Sequence, residues 1–331
     1  MEFRDLKRQY QAHRQAIDDA MQEVIRGTHF IGGPQVGQLE ERLAAFAGVR
    51  HCIACGNGTD ALQLALMAWE IGEGDAAFVP DFTFFSSGEV VPLVGAVPVF
   101  VDVDPLTYNI DCNSLEKAVE FVAQHTAYQP KAIVAVDLFG QPDRIRAIAD
   151  RYDMLVLEDA AQSFGGIWKE KRTCSLGDIS TTSFFPSKPL GCYGDGGAVF
   201  TDNDVWAERL RSLHVHGKGG DKYDNIRIGM NSRLDTLQAA VLLAKMDFLE
   251  EELTACARVA DRYTARLKDA VQTPHILEDR YSAWAQYVVC LKDNEERNRT
   301  IACMKEAGIP SAVYYKKPMH LQTAFSGKQI E

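Results

Sequence analysis

One lysine, Lys188, lies in the run SFFPSKPLGCYGDGG, among aromatic residues, two prolines and a glycine-rich loop. Surroundings that limit water access penalise an ammonium ion and favour a neutral amine, the form that attacks a carbonyl to make an imine. Alone, the segment reads equally as a surface lysine in a Pro/Gly loop. Asp159 precedes it by 29 residues, in LVLEDAAQ. That places a carboxylate where an apolar strand leaves the sheet, the edge at which open α/β folds collect ligands. A turn or helix-capping aspartate is the plainer alternative.

A third segment, Gly56-Asn57-Gly58-Thr59-Asp60, reads as a glycine-rich turn from a strand into a helix. The free N–H groups at such a helix start suit a phosphate, although a tight turn with a Thr or Asp cap would look the same. The turn also fits the dinucleotide fingerprint G-x-G-x-x-A, with Asp81 lying 23 residues beyond Gly58 after the next strand. Against a nicotinamide reading, two helices and a loop precede the turn, and Asp159 and Lys188 are left without a task.

Other chemistry-bearing residues have blander readings. Cys52 and Cys55 have the C-x-x-C spacing beside His51, but tetrahedral zinc needs a second ligand pair and a redox pair would open a helix, whereas HCIAC reads as an apolar strand. They are expected in the core. His214 and His216 lack a third ligand nearby, so no metal is expected. The glycine-rich, charged loop Gly217–Asp224 is expected to order over substrate.

These groups need a scaffold. Apolar spacing predicts an amphipathic helix over Leu6–Arg26, a loop marked by Gly27, Gly32 and Gly33-Pro34, and a helix over Val36–Phe46. Strands and helices then alternate: HCIAC, TDALQLALMAWE, AAFVP, a helix near Ser87–Gly95, VPVFVDV, a helix at Ser114–Gln124, AIVAVDLF, a helix at Pro142–Tyr152, and MLVLEDA. Such alternation implies an α/β fold with a mostly parallel sheet flanked by helices. ISTTSFF and GGAVFT should continue the sheet. A long helix from Arg233 to about Lys268 is expected to connect a large domain, residues 1–240, to a smaller α/β domain, residues 241–331, with AWAQYVVCL and SAVYY as strands and Arg297–Ala307 as a helix.

The chain has 331 residues, 46% hydrophobic content and a net charge of −11. It can bury a large core, and its charge repels nucleic acid in the absence of any Lys/Arg block. The charged N-terminus and the lack of a long apolar run argue against a leader or a membrane span, and eight scattered cysteines suit a reducing cytoplasm.

Taken in order, the segments resemble the DegT family of pyridoxal-phosphate-dependent nucleotide-sugar aminotransferases, of fold type I. The resemblance runs through FRDLKRQY, GNGTDALQLAL, VPDFTFFSS, VDVDPLTYNID, VDLFGQP, VLEDAAQSFG, TSFFPSKPLGCYGDGGAVFT and GMNSRLDTLQAA. It implies a Schiff-base role for Lys188, which also carries the proton between the donor's Cα and the cofactor. It further implies that Asp159 pairs with the pyridinium nitrogen, Gln162 faces the ring hydroxyl O3′ and Phe84 stacks on the ring. Gly58, Thr59 and Ser183 would hold the phosphate, joined by Asn231 from the neighbouring subunit of a homodimer. Arg233, Tyr314 and Tyr315 would contact the sugar substrate.

The implied reaction is ping-pong amino transfer from glutamate, which leaves as 2-oxoglutarate, to a keto sugar on a nucleotide. SFFPSKPLGCYGDGGA and NSRLDTLQAA look most like enzymes aminating C3 of a UDP-linked 2-acetamido-3-oxo-glucuronate for bacterial surface polysaccharides such as O-antigen. Amination of a different keto sugar, at C4 or on a 6-deoxy sugar, and a dinucleotide oxidoreductase are the competing functions. A sugar dehydratase branch has histidine in place of Lys188, and a regulatory relative would lack catalysis. Two departures stand out: Tyr314 replaces a histidine of the family pattern, and relatives continue past Glu331, so the small domain is expected to be incomplete.

Overall fold

The computed structural model describes residues 2–142, 145–221 and 223–330. In chain order its elements begin with α1 (Leu6–Gly27), α2 (Pro34–Ala47), β1 (His51–Cys55), α3 (Gly58–Ala68), β2 (Asp75–Pro80), α4 (Ser86–Leu93), β3 (Val97–Val101), α5 (Cys112–His125) and β4 (Gln129–Val136). They continue through α6 (Arg146–Arg151), β5 (Leu155–Asp159), β6 (Ile167–Trp168), β7 (Lys171–Arg172), β8 (Ile179–Ser183), β9 (Gly197–Thr201), α7 (Asp204–Leu213), α8 (Thr236–Met246), α9 (Leu249–Leu267), β10 (Arg280–Tyr281) and α10 (Asn294–Glu306).

Seven strands form one sheet in the order β1-β9-β8-β5-β4-β2-β3, and these are the seven strands that the apolar runs predict through Thr201. Ala132 to Val136 of β4 are buried without alternation, as a strand covered on both faces requires. β2, β3, β4, β5 and β8 run parallel; β9 is antiparallel to both β8 and β1. The carboxyl ends of β1, β2, β5 and β8 therefore share one edge of the sheet, bringing Gly56–Asp60, Asp81, Asp159 and Ser183 to the same side.

Local chemistry sets the helix ends. Pro34 opens α2 at a position whose amide needs no partner, and Gly48 closes it in the left-handed conformation, its N–H donating to Ala44 O. α3 is buried almost all round, through Ala61, Leu62, Leu64, Ala65, Leu66 and Ala68, and its start is capped by Asn57, whose side chain accepts from Asp60 N at 2.8 Å. Among the described residues no helix is long and apolar enough to cross a membrane.

Three expectations need correction. The helix predicted from Arg233 to Lys268 is two helices, α8 and α9, interrupted at Asp247–Phe248. Its apolar stripe continues unbroken, but Phe248 stacks on His13 of α1, and Leu253 packs so close to Gly165 that a Cβ there would lie 2.4 Å from it. The two halves answer to different neighbours. AWAQYVVCL is not a ladder strand: among the described residues its one bridge joins Cys290 to Gln272. SAVYY likewise forms no strand, and a strand-like composition without a neighbouring ladder does not make a sheet. The helix expected over Pro142–Tyr152 covers Arg146–Arg151, with residues 143 and 144 outside the described ones. Residue 222 of the 217–224 loop is outside them too.

Candidate active site

Asp159 ends β5 and is buried, 6% exposed. Its Oδ2 accepts from Ser87 Oγ at 2.8 Å and its Oδ1 from Ala161 N at 3.2 Å. Burial pushes this carboxyl above the usual aspartate range, with Ser87, Ala161 and the Lys188 amine pulling the other way. A carboxylate desolvated to this degree and bonded to neutral donors is a place where a cationic ring nitrogen gains most. Ser87 comes from α4 and is itself buried beside Thr83, hydroxyl to hydroxyl at 3.2 Å. Neither hydroxyl was singled out from the sequence; the FTFFSS run, next to an aromatic assigned to the site, was the available signal.

Lys188 sits on the loop between β8 and β9. Burial lowers its amine below the usual lysine range, Asp159 opposes that shift and Arg4 adds to it. A Cβ placed on Gly58 would stand 2.7 Å from Ser183 Cβ, and one on Gly197 would stand 2.5 Å from the Asn57 backbone. The α3 start, the β8 end and the β9 start thus meet at a closeness that only glycine permits. Asn57 serves Asp60 N, so the first amides of α3, those of Gly58 and Thr59, project from the helix end without an intrahelical partner. Ser183 Oγ accepts from Phe185 N at 3.2 Å, which leaves its proton to donate, while Thr59 Oγ1 lies 2.7 Å from Ser86 Oγ.

Gln162 is more committed than its sequence position suggests. Its Oε1 accepts from Phe139 N at 2.8 Å and its Nε2 donates to Tyr315 Oη at 3.3 Å, leaving one amide proton for a ligand. Burial pushes the Tyr315 phenol up to about 12. Phe82, Tyr108, Phe139, Tyr314 and Tyr315 form a continuous aromatic cluster around it, with centroids 5.5–6.5 Å apart. Phe84 is 56% exposed.

Asn231 and Arg233 do not join these groups within the chain. Both are exposed, and Arg233 Nη2 donates to Asn231 Oδ1 at 2.7 Å. The residue between them ties their segment to the glycine turn: buried Ser232 accepts from Gly56 N at 2.9 Å and donates to Asp60 Oδ2 at 2.7 Å. His214 Nδ1 lies 3.2 Å from Ser232 O. Asp81, the acid of the dinucleotide alternative, is occupied: it accepts from the His320 amide at 2.8 Å and lies 2.5 Å from the His320 ring. Cys52 and Cys55 are buried in β1, and burial raises both thiols.

Residues 11–331 match the model of the DegT/DnrJ/EryC1/StrS aminotransferase family. The chain belongs to that family. A Pseudomonas aeruginosa member, UDP-2-acetamido-2-deoxy-3-oxo-D-glucuronate aminotransferase, is 47% identical over 100% of this chain and 90% of its own length. The crystal structure of a Brucella abortus aminotransferase of the same family superposes with a TM-score of 0.97 at 48% identity, covering 99% of this chain and 88% of that one. A sugar aminotransferase from Streptococcus pneumoniae, described as putative and solved in its PLP form, superposes with a TM-score of 0.86 at 26% identity, covering 95% and 85%. The expected family and fold type are borne out, and the aminotransferase has the α/β architecture its sequence predicts.

Proposed function

We propose that this aminotransferase uses pyridoxal phosphate to move the amino group of glutamate to C3 of a UDP-linked 2-acetamido-3-oxo-glucuronate, in the cytoplasm, for surface-polysaccharide synthesis. The observation that carries the reading is the buried Asp159 carboxylate within electrostatic reach of the desolvated Lys188 amine, in a chain 47% identical to a UDP-2-acetamido-2-deoxy-3-oxo-D-glucuronate aminotransferase.

The residues present fit the cofactor. The amides of Gly58 and Thr59 and the Ser183 hydroxyl are donors converging where a Cβ would not fit, which suits a phosphate. Asp159 is buried with neutral donors on its oxygens and the Lys188 amine as its nearby cation, and a pyridine nitrogen that keeps its proton would add a second. When bound, the cofactor supplies a ring that withdraws the electron pair left when the amino-bearing carbon loses its proton. Lys188 Nζ would hold the cofactor through its aldehyde with loss of water, and as a free amine would take the proton from the donor's Cα and return it on the cofactor side. Gln162 has one N–H left to orient the ring hydroxyl, and Phe84 is free to lie against the ring face.

The exposed Asn231 and Arg233 suit a homodimer in which Asn231 of the partner subunit completes the phosphate site and Arg233 of the partner subunit meets the anionic sugar. Tyr314 and Tyr315 line the substrate side. In this reading residues 1–240 form the cofactor domain and 241–331 the smaller one.

The deciding experiment is the visible spectrum of the protein with added cofactor, before and after glutamate, beside Lys188→Ala. A yellow band that glutamate converts to the pyridoxamine form, and that the variant lacks, is expected. Absence of the band in the intact protein would refute the proposal. Incubation of the glutamate-treated enzyme with the UDP-3-oxo sugar should then return the band, and a 4-keto sugar should not.

A further inference from the structure

The lysine loop has a rear face that the chemistry above does not use. Pro186 and Pro189 carry no amide hydrogen, and the loop's own backbone bonds include Lys188 N to Phe185 O and Cys192 N to Phe184 O, both at 2.8 Å. Two of its carbonyls are taken instead by cations from distant parts of the chain. Arg4 Nη2, ahead of α1, donates to Lys188 O at 2.9 Å. Lys245 Nζ, on α8, donates to Gly191 O at 2.6 Å and lies 5.1 Å from the centre of the Tyr193 ring. Both cations are largely out of water, and burial lowers both below their usual ranges.

Several titratable groups face this corner. Glu252 and Cys256 face it from α9 and Cys192 from the loop itself. Glu252 is already held by Gln9, whose Nε2 donates to both of its oxygens at 2.9 and 2.7 Å. At the front of Lys188 stands Asp159. His13 of α1 lies 3.9 Å from Glu252, Tyr193 lies under the Lys245 ammonium with Tyr10 and Asp18 of α1 beyond it, and Asp195 lies near Cys192.

We propose that Arg4 is a positioning residue for the Lys188 amine: bridging from the N-terminal segment to the Lys188 carbonyl, it fixes the loop and keeps behind it a positive charge that disfavours a second one at Nζ. The proposal rests on the reading of Lys188 as the reactive amine. Arg4 acts in the same direction as burial on that amine, and against Asp159. It thereby links the start of the chain to a side chain 184 positions away.

Competitive labelling of the cofactor-free, full-length protein with acetic anhydride, read at the Lys188 peptide by mass spectrometry across pH, measures this amine directly. In Arg4→Gln the pH of half-maximal labelling should rise by about half to one pH unit, as expected for removing one charge from a partly buried pair. Arg4→Lys should restore the wild-type profile. Arg4→Ala, read in parallel with circular dichroism on each variant, guards against misfolding of the first. A folded Arg4→Gln or Arg4→Ala whose profile superimposes on the wild type would overturn the proposal, as would a shift that Arg4→Lys does not reverse. Labelling needs no cofactor, so this result stands apart from whether a cofactor band forms at Lys188.

Discussion

Gly58→Ala tests the cradle most directly. The added Cβ would stand 2.7 Å from Ser183 Cβ, 3.2 Å from its Oγ and 3.3 Å from its Cα. Carbon atoms in good contact sit about 3.5–4.0 Å apart, so the α3 start and the β8 end must separate by close to 1 Å. The neighbour is strand backbone and a short side chain, with no flexible end to swing aside. Overpacking of this kind costs about 1–3 kcal/mol. The displacement falls on the two elements whose donors should share the phosphate, so the cofactor loses affinity beyond any general destabilisation. A loss of only 1.4 kcal/mol is about tenfold in Kd. Titration of the cofactor-free variant by absorbance or quenching, beside its melting temperature, should show a Kd raised about tenfold or more with a Tm only a few degrees lower. A variant that melts lower yet binds the cofactor within twofold of the wild type would refute the assignment of Gly58 and Ser183 to the phosphate.

Ser87→Ala removes the hydroxyl donor from buried Asp159; losing one hydrogen bond to a charged group costs about 1.5–3 kcal/mol, so kcat/KM should fall roughly 10- to 100-fold with the fold intact. An unchanged kcat/KM would show that Asp159 does not need it. Lys245 is buried with its amine depressed to about 8. A depressed lysine adds stability above its unfolded value that is lost as pH falls through its folded one, so unfolding free energy should drop by up to about 3 kcal/mol from pH 10.5 to below 8. Lys245→Met should flatten that slope in denaturant titrations; an equal slope in both proteins contradicts it. Finally, mixing Lys188→Ala with Arg233→Ala under subunit exchange should recover up to about a quarter of wild-type activity if each site draws on both chains, because half of the dimers then hold one intact site. No recovery from an Arg233→Ala protein that is inactive alone, with exchange verified by mass, would place Arg233 within its own subunit's site.

Much of this arrangement is legible in the sequence because parallel sheets leave strong marks. Short apolar runs ending in Gly56, Asp81 and Asp159, and the hydroxyl-rich run ending in Ser183, read as strands, and the sheet sends their ends to one side. What the sequence hides is pairwise. Nothing in FTFFSS says which serine turns inward to Asp159, and nothing in the stripe from Leu234 to Leu267 says that Phe248 leaves it to stack on His13. The apolar run AWAQYVVCL has a strand-like composition, but composition does not say whether a ladder partner exists. Gln162 was assigned a ligand-facing role, yet most of its amide is spent on Phe139 and Tyr315, contacts between residues 23 and 153 positions apart. Arg4 appears in the sequence only within the FRDLKRQY motif, because its partner is a main-chain oxygen and leaves no side-chain signature.

The strand order also dictates when in the life of the polypeptide the cradle can exist. β1 pairs with β9 across about 150 residues, His51 opposite Thr201, and Gly197 of β9 lies between Cys55 and Ser183. The glycine turn emerges early from the ribosome, but the strand it must dock against is made only after the rest of the sheet. Closing so long a loop is slow and comes late in folding. Gly58 and Ser183 can therefore meet only once β9 lies between β1 and β8, so a half-made chain lacks the cradle proposed for the phosphate, and retention of the cofactor should report that the edge strand β1 has been sewn in.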